Sequence, residues 1–380
     1  MRSLIKTIIY DIDPNDIDMN KIKICSKVLA NGGTVAFPTE TVYGVGANAL
    51  NPQAVKKIYT AKGRPADNPL IVHISDVKSL YVLVDEVSRA TEDLISAFWP
   101  GPLTLILKKS KAVPDTITAG LDTVAIRLPM HPIAINLIKE AGIPIAAPSA
   151  NISGKPSPTR GKHVVDDLFG RVDIIINGGN CEVGLESTVL DMSTNQPTIL
   201  RPGAVTKKMI EEILGKEINF HETNLGNFEG EIPKAPGMKY IHYAPKAEVI
   251  IYRGEIDEVT RRMELDLERY VNLGKRVGII CTESRKRAEG DGSCLAFRGN
   301  LFSQKTKQEP HPLASVKSMG VRGEYKTIAA NIFRILREFD DEEVDIILTE
   351  AVEETELGQA IMNRLIKAAG YNIVEVSNVN

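Results

Sequence analysis

Residues 31–73, NGGTVAFPTETVYGVGANALNPQAVKKIYTAKGRPADNPLIVH, confine the chain to a narrow set of folds. Val35-Ala36-Phe37 follows a Gly32-Gly33 turn and stops at Pro38, the pattern of a short buried strand. Thr39, Glu40, Thr41 and Tyr43 come next, then Gly44 and Gly46. Glycines beside short hydroxyl side chains let a ligand approach the backbone closely. Residues 52–61 read as a helix, with Asn51 as N-cap and Pro52 in the first turn. It ends at Lys62-Gly63-Arg64-Pro65, and residues 70–74 then read as a strand carrying His73. Strand, helix and strand in so short a span mean layered α/β structure.

The polar residues of this stretch admit two readings each. Lys62 and Arg64 complement a helix C-terminus, or they clamp phosphate, with Gly63 and Pro65 fixing where the cations point. His73 is a core residue or a ligand-binding one. Arg127, in the apolar strand of residues 123–128 (TVAIRL), needs a partner: a structural acid or an anionic ligand.

Further along, residues 16–30 form an amphipathic helix after a first strand at 6–10. Helices follow at 77–84 and 87–98, the second ending in the rigid Trp99-Pro100-Gly101-Pro102 turn, with a strand at 103–107. Residues 131–140 are helical and residues 143–148 a buried strand. Ser149-Ala150-Asn151-Ile152-Ser153-Gly154-Lys155-Pro156-Ser157 leaves that strand. Short hydroxyl and amide residues beyond a strand end suit ligand binding through backbone amides, although a plain loop reads the same way. After a strand at 172–176, residues 186–191 and 198–203 read as a hairpin presenting Ser187 and Arg201. Residues 1–214 therefore form an α/β domain with a mixed sheet. Residues 215–245 carry no helix or strand periodicity, and Tyr240, His242 and Tyr243 favour a lid over a spacer. Residues 246–380 repeat the alternation as a smaller Rossmann-like sheet without a GxGxxG fingerprint, and residues 282–320 read as irregular.

The 380 residues suffice for more than one core, and the net charge of −3 does not advertise nucleic-acid binding. Cys25, Cys181, Cys281 and Cys294 form no CxxC pair, which argues against a zinc site or a disulfide framework. The N-terminus lacks an apolar signal region and no long apolar run exists, so a soluble cytoplasmic protein is expected, with no membrane partner. There is no P-loop motif. What remains is Lys62, Arg64 and Arg201 as cations, with Thr, Ser and Asn as short donors. Such a set suits a polyphosphate and a small zwitterion, with Arg127 taking a carboxylate and Thr41, His73 or Ser187 a hydroxyl or amine.

The segments FPTETVYGVGANA, KGRPADNPLIVHI, AIRLP, APSANISGKPS, ESTVLD and ILRPG resemble, in order and spacing, a YrdC-like domain. APGMKYIHYAP and the tail with LGQAIMNRLIKAA look like the linker and second domain of the long threonylcarbamoyl-AMP synthase family. The resemblance implies a twisted mixed sheet with flanking helices, followed by the smaller domain. It implies that L-threonine, bicarbonate and ATP, with Mg²⁺ held mainly by the phosphates, give threonylcarbamoyl-AMP and pyrophosphate. The product would pass to the tRNA threonylcarbamoyl transferase machinery for modification beside the anticodon. Residue by residue, it assigns threonine to Thr41, His73, Arg127, Ala147 (through its backbone) and Ser187. It assigns ATP to Lys62, Arg64, Asn68, Thr123, Ser149, Asn151, Ser157 and Arg201, with Tyr243 folded over the nucleotide and Lys62 and Arg64 as the catalytic cations. The competing readings are an RNA- or tRNA-binding module without turnover, and a hydrogenase-maturation carbamoyltransferase, whose paired CxxC motifs are missing here.

Overall fold

Alternation of apolar residues in the first two-thirds of the chain produces one long mixed sheet. A computed structural model describes residues 5–221, 233–234, 242–283 and 313–377. The strands of the first unit are β1 (Ile8–Asp11), β2 (Val35–Phe37), β3 (Gly44–Asn48), β4 (Ile71–His73), β5 (Leu103–Lys108) and β6 (Thr123–Arg127). They continue with β7 (Ile145–Ala146), β8 (Ile174–Asn177), β9 (Thr188–Asp191), β10 (Thr198–Arg201) and β11 (Asn219–Phe220). Their order in the sheet is β1-β8-β2-β3-β7-β4-β6-β5-β9-β10-β11. Strand pleating sends neighbours to opposite faces, so Ile174 and Ile176 join one apolar cluster while Ile175 joins the other.

The Pro52–Lys62 helix forms as its sequence requires. Asn51 accepts hydrogen bonds from the N–H groups of Gln53 and Ala54, and Gly63 closes the helix in the left-handed region at φ 62°. Val55 and Ile58 are buried on its inner face. Two expectations need correction. Gly44–Asn48, whose glycines were read as room for a ligand near the backbone, is a strand paired antiparallel with β2. A Cβ on Gly46 would lie 2.6 Å from Ile145 and 2.7 Å from Phe37, so packing rather than ligand access excludes a side chain there. Within 215–245, Asn219–Phe220 forms a strand parallel to β10, because strand pairing supplies what the short segment's periodicity does not.

Contacts divide the chain into two compact units, one of Met1–Ser153 with Ser157–Tyr240 and one of Gly154–Pro156 with Ile241–Asn380. The second unit holds β12 (Glu248–Arg253), β13 (Val277–Glu283), β14 (Ala314–Val321), β15 (Ile346–Glu350) and β16 (Ile373–Glu375). All its pairings are parallel, in the order β14-β13-β15-β12-β16. Parallel strands need crossover helices, here Ile256–Asn272, Tyr325–Asp341 and Leu357–Ala368. All but the last residue of strand β14 lies inside the span read as irregular; its Val316 packs on an apolar cluster and its Met319 is buried, while Lys317 pairs with Glu338 and Glu342. Cys25 and Cys181 are free, but Cys281 is disulfide-bonded, which corrects the disulfide-free reading; no CxxC spacing announces it. Residues 235–241 of the expected lid, and residues 284–312, lie outside the described residues.

Candidate active site

Strand register brings the first polar pair together. In the parallel β4–β6 ladder His73 stands opposite Arg127, and in the antiparallel β4–β7 ladder it stands opposite Ile145. Both polar side chains are buried, His73 4% and Arg127 3% exposed. Burial, and then the Arg127 charge, push the His73 imidazole down to about 3, so it is neutral at physiological pH. Its Nδ1 has no hydrogen-bond partner among the described residues. Arg127 is clamped from several directions. Its Nη1 donates to the Thr41 hydroxyl at 2.9 Å, its Nε to the Gly101 carbonyl at 3.2 Å, and its Nη2 meets a Glu40 carboxylate oxygen at 2.6 Å. Both readings of Arg127 therefore start from a structural acid, Glu40, that sequence reasoning did not single out. Its signal was an acidic residue between two threonines in an otherwise buried loop.

Ala147 continues from β7 and donates its N–H to the Ile71 carbonyl at 2.9 Å. Ser187 precedes β9. Its hydroxyl lies 2.7 Å from that of Thr104, and Arg201 donates to it at 3.2 Å and to its carbonyl at 3.0 and 3.1 Å. The Thr188 N–H bonds the Pro102 carbonyl, next to the Gly101 that holds Arg127. So Thr41, His73, Arg127, Ala147 and Ser187 are joined through direct contacts or immediate neighbours.

The second set surrounds the loop after β7. Lys62 is 1% exposed, and its ammonium reaches across to the main chain of that loop rather than to its own helix end. It donates to the Ser149 carbonyl and, at 2.6 Å, to that of Asn151. Arg64 donates to the carbonyls of Asn68 and Pro69 at 3.4 and 3.2 Å. The Asn68 side-chain oxygen is buried with no hydrogen-bond partner among the described residues. The Ser157 hydroxyl donates to Glu186, a second acid the sequence reading did not use. Thr123 opens β6 opposite Lys108 on β5. Main-chain bonds tie the loop to β3 and the residue before it, from Val45 N–H to the Pro148 carbonyl and from Ala150 N–H to that of Tyr43, at 2.9 and 2.8 Å. Tyr243 belongs to the second unit, where its ring packs against Phe333 at 5.2 Å and under Arg364 at 5.7 Å.

Chemically, the first set offers a cation and a neutral imidazole, and the second offers cations on a loop of short polar side chains. No group of three or more His, Cys, Asp or Glu that could hold a metal ion occurs among the described residues. No helix among them is long and apolar enough to cross a membrane.

Comparison with known proteins supplies the rest. Residues 27–203 match the family described as telomere recombination, and residues 205–370 match the C-terminal domain of threonylcarbamoyl-AMP synthase. The threonylcarbamoyl-AMP synthase of Pyrococcus abyssi is 47% identical over 94% of this chain and 96% of its own. That of Bacillus subtilis is 45% identical over 93% and 94%. The crystal structure of P. abyssi Sua5 in complex with L-threonine matches with a TM-score of 0.86 at 46% identity, covering 97% of this chain and all of the other.

Proposed function

Because the chain belongs to the threonylcarbamoyl-AMP synthase family, we propose that its buried polar cluster around β4, β6 and the start of β9 is the threonine subsite of that reaction. The chain is a nucleotidyl-transferring synthase acting in tRNA modification. Arg127 takes the threonine carboxylate, the neutral His73 accepts from the hydroxyl or amine, and Thr41, Ser187 and the Ala147 main chain complete the pocket. ATP lies against Lys62, Arg64, Asn68, Thr123, Ser149, Asn151, Ser157 and Arg201. Bicarbonate is the third substrate, the cytoplasm the compartment, and a tRNA-modifying transferase the consumer of the product.

The observation that carries this reading is the His73–Arg127 pair. One buried group is a cation and its register partner is a neutral base with an orphaned nitrogen. A buried polar group left unpaired is costly, and a ligand that pairs both groups removes that cost. The threonine amine attacks bicarbonate carbon and water leaves, giving a carbamate. A carbamate oxygen then attacks the α-phosphorus and pyrophosphate departs. The chain's own contribution is alignment and stabilisation of charge on the departing phosphates. Mg²⁺, if carried in on the triphosphate, would supply further neutralisation. That the nearby acids Glu40 and Glu186 are already engaged by Arg127 and Ser157 favours phosphate oxygens as its ligands.

The test is pyrophosphate release from MgATP with and without L-threonine and bicarbonate. Release that needs both supports the reading; release that ignores threonine overturns it. Arg64→Ala is expected to lose most turnover while remaining folded, and wild-type turnover in that variant removes Arg64 from the phosphate site.

A further inference from the structure

Glu40 stands where a carboxylate is hardest to justify, beside the cation that is to receive the substrate's own carboxylate. Its side chain is 3% exposed and that of Arg127 is 4% exposed. Two segments of backbone hold it there. Its second oxygen accepts the Met130 N–H at 3.2 Å, and its carbonyl accepts the Val183 N–H at 2.8 Å. The acid is therefore built into the site rather than drawn there by the arginine alone.

The geometry leaves Arg127 able to act. Of the five N–H donors of a guanidinium, Gly101 and Thr41 engage one each, while Nη2 meets Glu40 as an ion pair and has no hydrogen-bond partner among the described residues, which leaves donors for a ligand. The charge, however, is already matched. A buried lone arginine would favour any anion, whereas an arginine–glutamate pair is neutral as a unit. It offers directed N–H groups to a carboxylate without a net field that rewards net negative charge. The negative field of Glu40 reaches its surroundings. It adds to burial in pushing the Cys181 thiol up, and it opposes the burial that pushes His131 down.

We propose that Glu40 makes this subsite select a zwitterion: an α-amino acid with its ammonium in place, over the corresponding α-hydroxy acid that carries only the carboxylate. This rests on the reading that Arg127 takes the threonine carboxylate. Glu40 is a positioning and specificity residue; it holds Arg127 in place and sets the charge the pocket accepts.

The test is calorimetric binding of L-threonine and of 2,3-dihydroxybutyrate, its analogue with hydroxyl in place of amine, to the full-length protein. The wild type should prefer threonine. In Glu40→Gln, which keeps shape and removes charge, the preference should shift toward the hydroxy acid by about tenfold or more, the scale of a close charge pair. Glu40→Asp keeps the charge and should keep the preference, and it serves alone if the Gln variant fails to fold. A Gln variant that weakens both ligands equally, or leaves their ratio unchanged, overturns the proposal, as does an Asp variant that loses the preference. Arg127→Gln tells the two failures apart. If it binds threonine like the wild type, the parent reading of the pocket is wrong, whatever Glu40 does.

Discussion

Lys62 ends a helix yet turns its ammonium to the carbonyls of Ser149 and Asn151. A buried ammonium must find oxygen, and main-chain oxygen meets that need. Replacing it with methionine keeps the length and removes the donors. Charge-assisted hydrogen bonds contribute about 1.5–3 kcal/mol each, so Lys62→Met should lower turnover by about 10- to 150-fold. Comparing ATP-dependent pyrophosphate release in the two proteins, with melting temperatures as control, checks this; unaltered turnover would leave Lys62 a purely structural anchor. At this scale the sequence was readable wherever a motif fixed a residue type. Lys62, Arg64, His73 and Arg127 were singled out, but the partners of Lys62 and Arg127 were not. A sequence shows that a buried cation needs a partner; it does not show that Lys62 finds backbone carbonyls while Arg127 finds Glu40.

Among the elements, β3 is where local reading and tertiary packing part. Its glycines suggested room for a ligand near the backbone, and the strand instead presses Gly46 against Ile145 and Phe37. Gly46→Ala should therefore destabilise the first unit by about 1–3 kcal/mol, the range for overpacking a core. Urea unfolding would show a lowered midpoint, and an unchanged midpoint would mean the neighbours yield freely. By contrast the Pro52–Lys62 helix was legible to its ends, because Asn51, Pro52 and Gly63 are local signals. Strands as short as Ile145–Ala146, a fragment of the span expected at 143–148, and Asn219–Phe220 are fixed by their neighbours in the sheet, which no local window contains.

For the whole molecule, His73 couples folding to pH. Folded, it stays neutral down to about 3, whereas its ordinary value is 6.5. Between those values the unfolded chain binds more protons, so stability falls as pH is lowered from 6.5 toward 3 and is flat with respect to this group above 6.5. His73→Asn should lose less stability than the wild type across that window, measured as the change in melting temperature with pH. Equal slopes would mean the imidazole titrates normally. Among the described residues the chain carries an eleven-stranded mixed sheet and a five-stranded parallel one; the change of rhythm after residue 214 does not mark the edge of the first, since Asn219–Phe220 still pairs with its strand β10.

The grip of Lys62 and Arg64 on main-chain oxygen also bears on how such a protein can change. An anchor that recognises the carbonyls of Asn68, Pro69 and Ser149 is largely blind to what those residues carry, whereas at Asn151 Lys62 meets the side-chain oxygen as well as the carbonyl. In the proposed nucleotide site, a new side chain at Ser149 would change what ATP meets while its carbonyl still receives Lys62. A library randomised at the half-buried Ser149 should thus be richer in folded proteins than one at the buried Asn68, which makes Ser149 the natural starting point for redesign.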